Sequence, residues 1–201
     1  MKPGADTQEL ERLLDARNER PESLSEIDAE IWRRFGQTCA VLVLDMCGFS
    51  RLTMRHGITH FLAMIRRLHL LARPIVERSR GRLVKAEADN LFAVFDDVPA
   101  AIDCARAIHA GLETANRFLP ADWDLHAGIA VGYGPLLVLD GADLYGSEMN
   151  LASKLGEDVA KGGEILLTWN ARAQLPADLP DVTEMAFEGS GLALRAFRWP
   201  G

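Results

Sequence analysis

Three short segments of this 201-residue chain carry residue types whose spacing could do chemistry. The first is Leu44-Asp45-Met46-Cys47-Gly48-Phe49-Ser50, in which an acidic residue closes an apolar run. A carboxylate at the end of a buried strand is costly unless a cation compensates it. Gly48 lets the backbone approach a ligand closely, Ser50 is placed to cap a following helix, and backbone N–H groups at a helix start suit phosphate. The second segment is Lys85-Ala86-Glu87-Ala88-Asp89, with Asp89 following Asp45 by 44 residues. If the fold brings these two carboxylates together, they call for a hard divalent cation such as Mg²⁺ or Mn²⁺ to offset their repulsion. The third runs from Asp143 to Lys154 and places Asn150 and Lys154 four residues apart, on one face of a helix. A neutral amide beside a cation can stabilise charge developing on a phosphate. Each segment alone also has a plainer reading: a capped turn, a polar hairpin turn, and a helix with an exposed lysine.

Bringing the segments together requires strands that end side by side. Cys39–Leu44 is a continuous apolar run, which reads as a strand buried on both faces. Phe61, Leu62, Ile65, Leu68, Ala72 and Ile75 recur at helical spacing, and Arg80–Gly81 ends that helix. Leu83–Lys85 and Leu91–Phe95 read as a hairpin, and Val98, Ala101, Ile102, Ala105, Ile108 and Leu112 mark a second amphipathic helix. His126–Tyr133 and Leu136–Leu139 are expected to form another hairpin, broken at Gly134–Pro135. The order β-α-β-β-α-β across residues 38–139 is that of the ferredoxin-like unit, an α+β fold that puts Asp45 and Asp89 on neighbouring strand ends. A helix around Glu148–Asp158, a strand at Glu164–Leu167 and a two-strand finish over Val182–Trp199, turned at Gly189–Gly191, extend it.

Residues 1–36 differ from the rest. Asp6 with Glu9 and Ser23 with Glu26 have capping-box spacing, and Pro21 separates two short amphipathic stretches. One stretch carries Leu10, Leu13 and Leu14, the other Leu24, Ile27 and Ile31. Helices this short are marginal alone and are expected to pack on the following domain or across a dimer. The expected division is therefore an N-terminal helical segment over 1–36 and one domain over 37–201.

Lys plus Arg is 22 and Asp plus Glu is 29, a net charge of −7 that argues against a nucleic-acid or anionic-membrane partner. With 48% apolar and 25% charged residues, the chain has the composition of a folded domain, not a disordered one. Cys39, Cys47 and Cys104 lie far apart, which reads as a reduced chain with neither a disulfide framework nor a zinc site. Met1 to Arg20 has no apolar leader and no window is apolar enough to span a bilayer, so a cytoplasmic chain is expected. His56 and His60 stand four apart without an acidic third ligand and read as a surface pair. Trp32, Trp123, Trp169 and Trp199 read as packing anchors, and Arg33–Arg34 and Arg66–Arg67 as solvated faces.

Taken together, the three segments resemble the catalytic domain of class III nucleotidyl cyclases, the adenylate/guanylate cyclase family, over roughly residues 38–170. Asp45 to Ser50 is similar to the family's first metal motif, Lys85 to Asp89 to its Lys-x-x-Gly-Asp turn, and Asp143 to Lys154 to its third motif. The intervals from Asp143 to Asn150 (7) and from Asn150 to Lys154 (4) agree with that pattern. The resemblance implies that Asp45, Asp89 and the backbone carbonyl of Met46 hold two divalent metals, Mg²⁺ or Mn²⁺. The ribose 3′-hydroxyl of ATP would then attack the α-phosphorus and expel pyrophosphate, forming 3′,5′-cyclic AMP. Asn150 would orient the ribose, Lys154 would stabilise the pentacoordinate phosphate, and Gly48, Phe49 and Ser50 would bind substrate. The family acts as dimers with sites shared between chains, which implies a homodimer here, since this chain carries both halves.

Lys85 can donate to adenine N1 and Asp143 can accept from its amino group, which favours ATP over GTP. Two positions depart from the family pattern. Ala88 stands where a Gly precedes the second metal Asp, so this turn must have an allowed geometry or be strained. Lys154 stands where the family has Arg, and a lysine offers a point charge in place of a planar fork. The stretch from Gly132 to Asp143 is also short, which thins any dimer-contacting arm there. Two other readings stay open: a nucleotide-binding regulatory module with impaired turnover, and a cyclase that takes GTP or a pyrimidine triphosphate.

Overall fold

The computed structural model describes residues 5–120, 123–179, 181–189 and 192–200, with side chains for all of these except 5, 49–52, 188–189 and 192–194. The core is the expected unit: β1 (Gly36–Met46), helices α3 (Phe49–His56) and α4 (Ile58–Arg78), β2 (Arg82–Glu87), β3 (Asn90–Phe95), α5 (Val98–Asn116) and β4 (Ala127–Leu139). Then come β5 (Asp143–Tyr145), α6 (Ser147–Lys154), a π-helical turn (Leu155–Val159), β6 (Ile165–Thr168), α7 (Trp169–Arg172), β7 (Thr183–Gly189) and β8 (Leu192–Arg198). The strands form one sheet in the order β2-β3-β1-β4-β6-β8-β7, with β5 added on β4. The first four places, β2-β3-β1-β4, are the ferredoxin-like order.

The apolar run of β1 is continuous because both of its faces are covered. Leu42, Leu44 and Met46 join a core with Phe61, Met64 and Leu68 of α4 and Ile102 and Ala105 of α5. Val41 and Val43 point the other way, into a core with Ala152 of α6 and Leu155 of the π turn. Alternation along the strand therefore turns Asp45 towards the α6 side.

Two expectations need correction. The long first helix is two, α3 and α4, meeting at Gly57, whose φ is +81°. Gly134–Pro135 is not a turn, because β4 runs unbroken through it with Pro135 opposite Thr38. Here β6 pairs with residues 129–131 and β5 with 137–139, so Pro135 lies where β4 has no strand on its second side and a missing N–H costs least. The hairpin turn falls instead at 140–142, between β4 and β5. The closing pair, β7 and β8, is antiparallel as expected, although residues 190 and 191 of its turn lie outside the described residues.

Helices α1 (Ala5–Glu19) and α2 (Leu24–Phe35) pack on the end of β4: Leu10, Leu13, Ile31 and Phe35 form a cluster with Leu139. Leu14 lies outside this contact, 42% exposed. The capping boxes are not made as expected, since Asp6 sits inside the first turn of α1 and Ser23 makes no side-chain cap bond. Arg33 and Arg34 are not simply solvated. Arg33 bonds Glu30 (2.6 Å) and Arg34 bonds both Glu30 and Glu9, so the Glu30 carboxyl is held down at about 2 by Arg33 first and Arg34 second. No helix among the described residues is long and apolar enough to cross a membrane.

Candidate functional site

The β1 register fixes where Asp45 lies: it stands opposite Asn90 of β3 on one side and Gly128 of β4 on the other. Asp89 immediately precedes Asn90 in the β2–β3 turn, so the hairpin carries it to the Asp45 end of the sheet. Asp45 is half-buried, and its carboxyl is pushed up to about 7 by burial first, then by the charges of Asp89, Glu157 and Asp158. Glu157 is raised too, by burial and then by Asp158 and Asp89. In the orientation that satisfies both of its atoms, the Asn90 amide donates to Asp45 Oδ1 (2.9 Å) and to the Leu44 carbonyl (3.2 Å). Met46 buries its side chain in the α4–α5 core, which leaves only its backbone for a ligand.

The backbone turns away from β1 at Gly48, whose φ of +96° makes it the N-cap of α3. Phe49 and Ser50 open that helix, so Ser50 lies inside it and is not its cap; the side chains of both are outside the described residues. Ala88 takes a left-handed φ of +49° in the turn before Asp89, which is the strained alternative for a residue with a Cβ.

Lys85 and Asp143, 58 residues apart, meet with Nζ 3.4 Å from Oδ2. Glu87, on the same side of β2, holds the Lys85 ammonium more closely, at 2.6 Å. Hydrogen bonding to Glu87 is the largest cause of a raised Lys85 pKa, with Asp143 adding to it against the effect of burial. Lys85 and Glu87 line a cleft of about 480 Å³ with Arg73, Leu83, Gly141 and Ala142. That is room for a planar base.

Helix α6 carries Asn150, exposed, and Lys154, half-buried. Behind it lies a group that the sequence reading passed over. Glu148, 3% exposed, accepts from Thr168 Oγ1 (2.7 Å), Asn170 Nδ2 (2.6 Å) and Tyr133 N (3.3 Å). Its signal was available: Glu148, Ala152 and Leu155 stand at i, i+4 and i+7, so a carboxylate occupies the buried stripe of its helix. Asn90 was also passed over, and Glu87, exposed as a polar turn residue would be, also pairs with Lys85. The four tryptophans are only partly anchors: Trp32, Trp123 and Trp169 are 46%, 39% and 48% exposed, while Trp199 packs on the core. Arg67 lies over the Trp123 ring, and His56 and His60 touch ring to ring at 4.8 Å.

No protein-family model matches the chain. It is 34% identical over 125 residues to a Rhizobium meliloti protein named "Putative adenylate cyclase 3", a match covering 62% of this chain and 21% of that protein. It is 28% identical over 132 residues to the serine/threonine-protein kinase pkn2 of Myxococcus xanthus, covering 66% of this chain and 16% of that one. The chain thus spans about a fifth or less of the length of these curated relatives. Among solved structures, the adenylate/guanylate cyclase/hydrolase from Silicibacter pomeroyi matches with a TM-score of 0.69 at 25% identity, over 82% of this chain and 96% of that one. In sequence and fold the chain is thus similar to adenylate/guanylate cyclase catalytic domains.

Proposed function

We propose that residues 37–201 form a nucleotide cyclase domain that converts ATP to 3′,5′-cyclic AMP and pyrophosphate, with sites shared between two copies of the chain. The observation that carries this reading is the Asp45 carboxyl. It is half-buried at a strand end, its ionisation is pushed to about 7, and every charged neighbour that acts on it is acidic. The donors fit hard divalent cations: Asp45, Asp89 and the Met46 carbonyl offer only oxygen. Two Mg²⁺ or Mn²⁺ ions there would supply charge neutralisation and a lowered pKa for the ribose 3′-hydroxyl.

The chain's own residues would do the rest. Backbone N–H groups at the start of α3, beyond Gly48, would meet the phosphates. Asn150 orients the ribose so that its 3′-oxygen lies in line with the α-phosphorus. The 3′-hydroxyl gives its proton to water, the O3′–P bond forms as the bond from the α-phosphorus to the bridging oxygen breaks and pyrophosphate leaves, and Lys154 meets the charge on the α-phosphate oxygens. Lys85 donates to adenine N1 and Asp143 accepts from the amino group, which favours ATP. The relatives' names carry both adenylate and guanylate activities, and the Lys85–Asp143 pair is what supports adenine.

The test is to incubate the purified chain with ATP, GTP, CTP and UTP in Mn²⁺. Cyclic AMP from ATP should dominate, and Asp45→Ala should lower it by about a hundredfold or more. A verified dimer that binds ATP by calorimetry but yields no cyclic product, in wild type and in Lys154→Arg, would mark a nucleotide-binding module instead.

A further inference from the structure

Helix α6 has little of its own to hold it. It spans only eight residues, Ser147–Lys154, and its N-cap is Gly146, with no side-chain cap bond. Two turns of helix are marginal without tertiary contacts. The strongest polar contact is Glu148. Its Oε2 takes the Thr168 hydroxyl and the Tyr133 N–H, and its Oε1 takes the Asn170 amide. The three donors come from β4, from the end of β6 and from α7. β4 also makes room for it. A Cβ on Gly134 would come within 2.8 Å of Glu148 Cγ, and one on Gly132 within 3.0 Å of the Glu148 carbonyl oxygen.

At about 100° per residue, Asn150 lies some 200° round the helix from Glu148, and Lys154 some 240°. The carboxylate therefore grips the back of the helix while Asn150 and Lys154 share its front. An ionised carboxylate is acceptor-only, which suits three converging donors. No Lys or Arg pairs with it among the described residues, although its place in the first turn of α6 lets the helix dipole favour its charge.

We infer that Glu148 is a positioning residue: through Thr168, Asn170 and Tyr133 it sets the angle at which α6 presents Asn150 and Lys154 to the nucleotide. This rests on the cyclase reading of those two residues, since a helix that carries no chemistry needs no fixed angle. A shift of about 1 Å in a reacting group is enough to slow a positioned reaction by two orders of magnitude.

The bond pattern supplies the test. Glu148→Gln turns Oε1 into an amide nitrogen that can no longer accept from Asn170. Adding Asn170→Asp reverses donor and acceptor and restores the bond, while Thr168 and Tyr133 keep their acceptor. Glu148→Gln should lower kcat about tenfold per folded molecule, with KM for ATP changed less than about threefold. Amide hydrogen exchange over 148–154 should rise while that of β1 stays as it was. The double variant Glu148→Gln/Asn170→Asp should bring kcat and exchange back to within about threefold of wild type. A wild-type kcat in Glu148→Gln, or a loss that the double variant leaves unrepaired, overturns the positioning role. Asn150→Ala and Lys154→Ala separate the two levels. If both variants keep full turnover, the cyclase reading of α6 fails. If both lose it while Glu148→Gln does not, only the positioning role fails.

Discussion

If Asp45 holds a metal as proposed, one side chain must meet two demands: it must be ionised to bind, and it must be buried to be held. Its carboxyl titrates at about 7 in the folded chain against an ordinary 3.8, raised by burial and by Asp89, Glu157 and Asp158. Below pH 3.8 the group is protonated folded or unfolded, so it has no effect on stability. Between 3.8 and about 7 the unfolded chain gives up this proton and the folded chain keeps it, so stability falls as pH rises. Above about 7 the loss is complete and constant. In chelator, wild type should lose stability relative to Asp45→Asn across this window, by about 2 kcal/mol once partial solvent access is allowed for. Asn retains an oxygen to accept from Asn90. Urea melts of the two proteins at pH 4.5, 6 and 8 provide the check, and a constant difference across that range would refute the account. Mn²⁺ should reverse the effect in wild type only. At this scale Asp45, Asp89, Lys85 and Asp143 were legible, because an acid closing an apolar run and a lysine four residues before an acid are statements about local sequence. Glu148 and Asn90 were not read, because what they do depends on partners brought from other strands: Thr168 and Asn170 for one, the carboxyl of Asp45 for the other.

At the scale of elements, periodicity carried β1, α4, the β2–β3 hairpin and α5, since each buries a regular face. It failed at β4, where Gly134 and Pro135 look like a turn but sit in a continuous strand. The local signal was outweighed by pairing: β4 runs the whole length of β1, from Leu137 opposite Gly36 to Ala127 opposite Met46. Gly134 is explained by what lies over it, the Glu148 side chain, and not by a bend. The β2–β3 turn shows the reverse case, where the sequence named the difficulty and the structure resolves it as strain. Ala88 sits at φ +49°, a region that costs a residue with a Cβ about 1–2 kcal/mol. Ala88→Gly should therefore stabilise the chain, by about 0.5–1 kcal/mol after the greater entropy of unfolded glycine is subtracted. An unchanged or lowered urea midpoint would mean that the turn is not under strain. The same variant should leave the order of nucleotide preference as it was, because Lys85 is held on β2 by Glu87 and Asp143 and not by the turn.

The whole molecule raises a question of number. One chain carries both the carboxylate pair, Asp45 and Asp89, and the set Lys85, Asp143, Asn150 and Lys154. If a single copy completed its own site, a defect in either set would abolish turnover and no second chain could repair it. If sites are shared across a two-fold axis, each site draws its carboxylates from one copy and its base- and phosphate-binding residues from the other. Asp45→Ala and Asn150→Ala then damage different halves. Each alone should be nearly inactive as a homodimer. Mixed in equal amounts and allowed to exchange, about half of the dimers pair one of each, and every such pair has one site with both defects and one with neither. Activity should rise to about a quarter of wild type, a value set by counting and independent of how fast an intact site turns over. Mixing Asp45→Ala with Asp89→Ala is the control, since both lie in the same half and every site in every pairing keeps a defect. Recovery in the first mixture and none in the second supports a shared site. No recovery in a mixture shown by labelled subunits to have exchanged would place the whole reaction within one chain. The −7 charge bears on the same arrangement. A dimer of acidic chains can hold a triphosphate only where cations gather locally, and sharing brings the carboxylates that collect metal to the same cleft as Lys85 and Lys154.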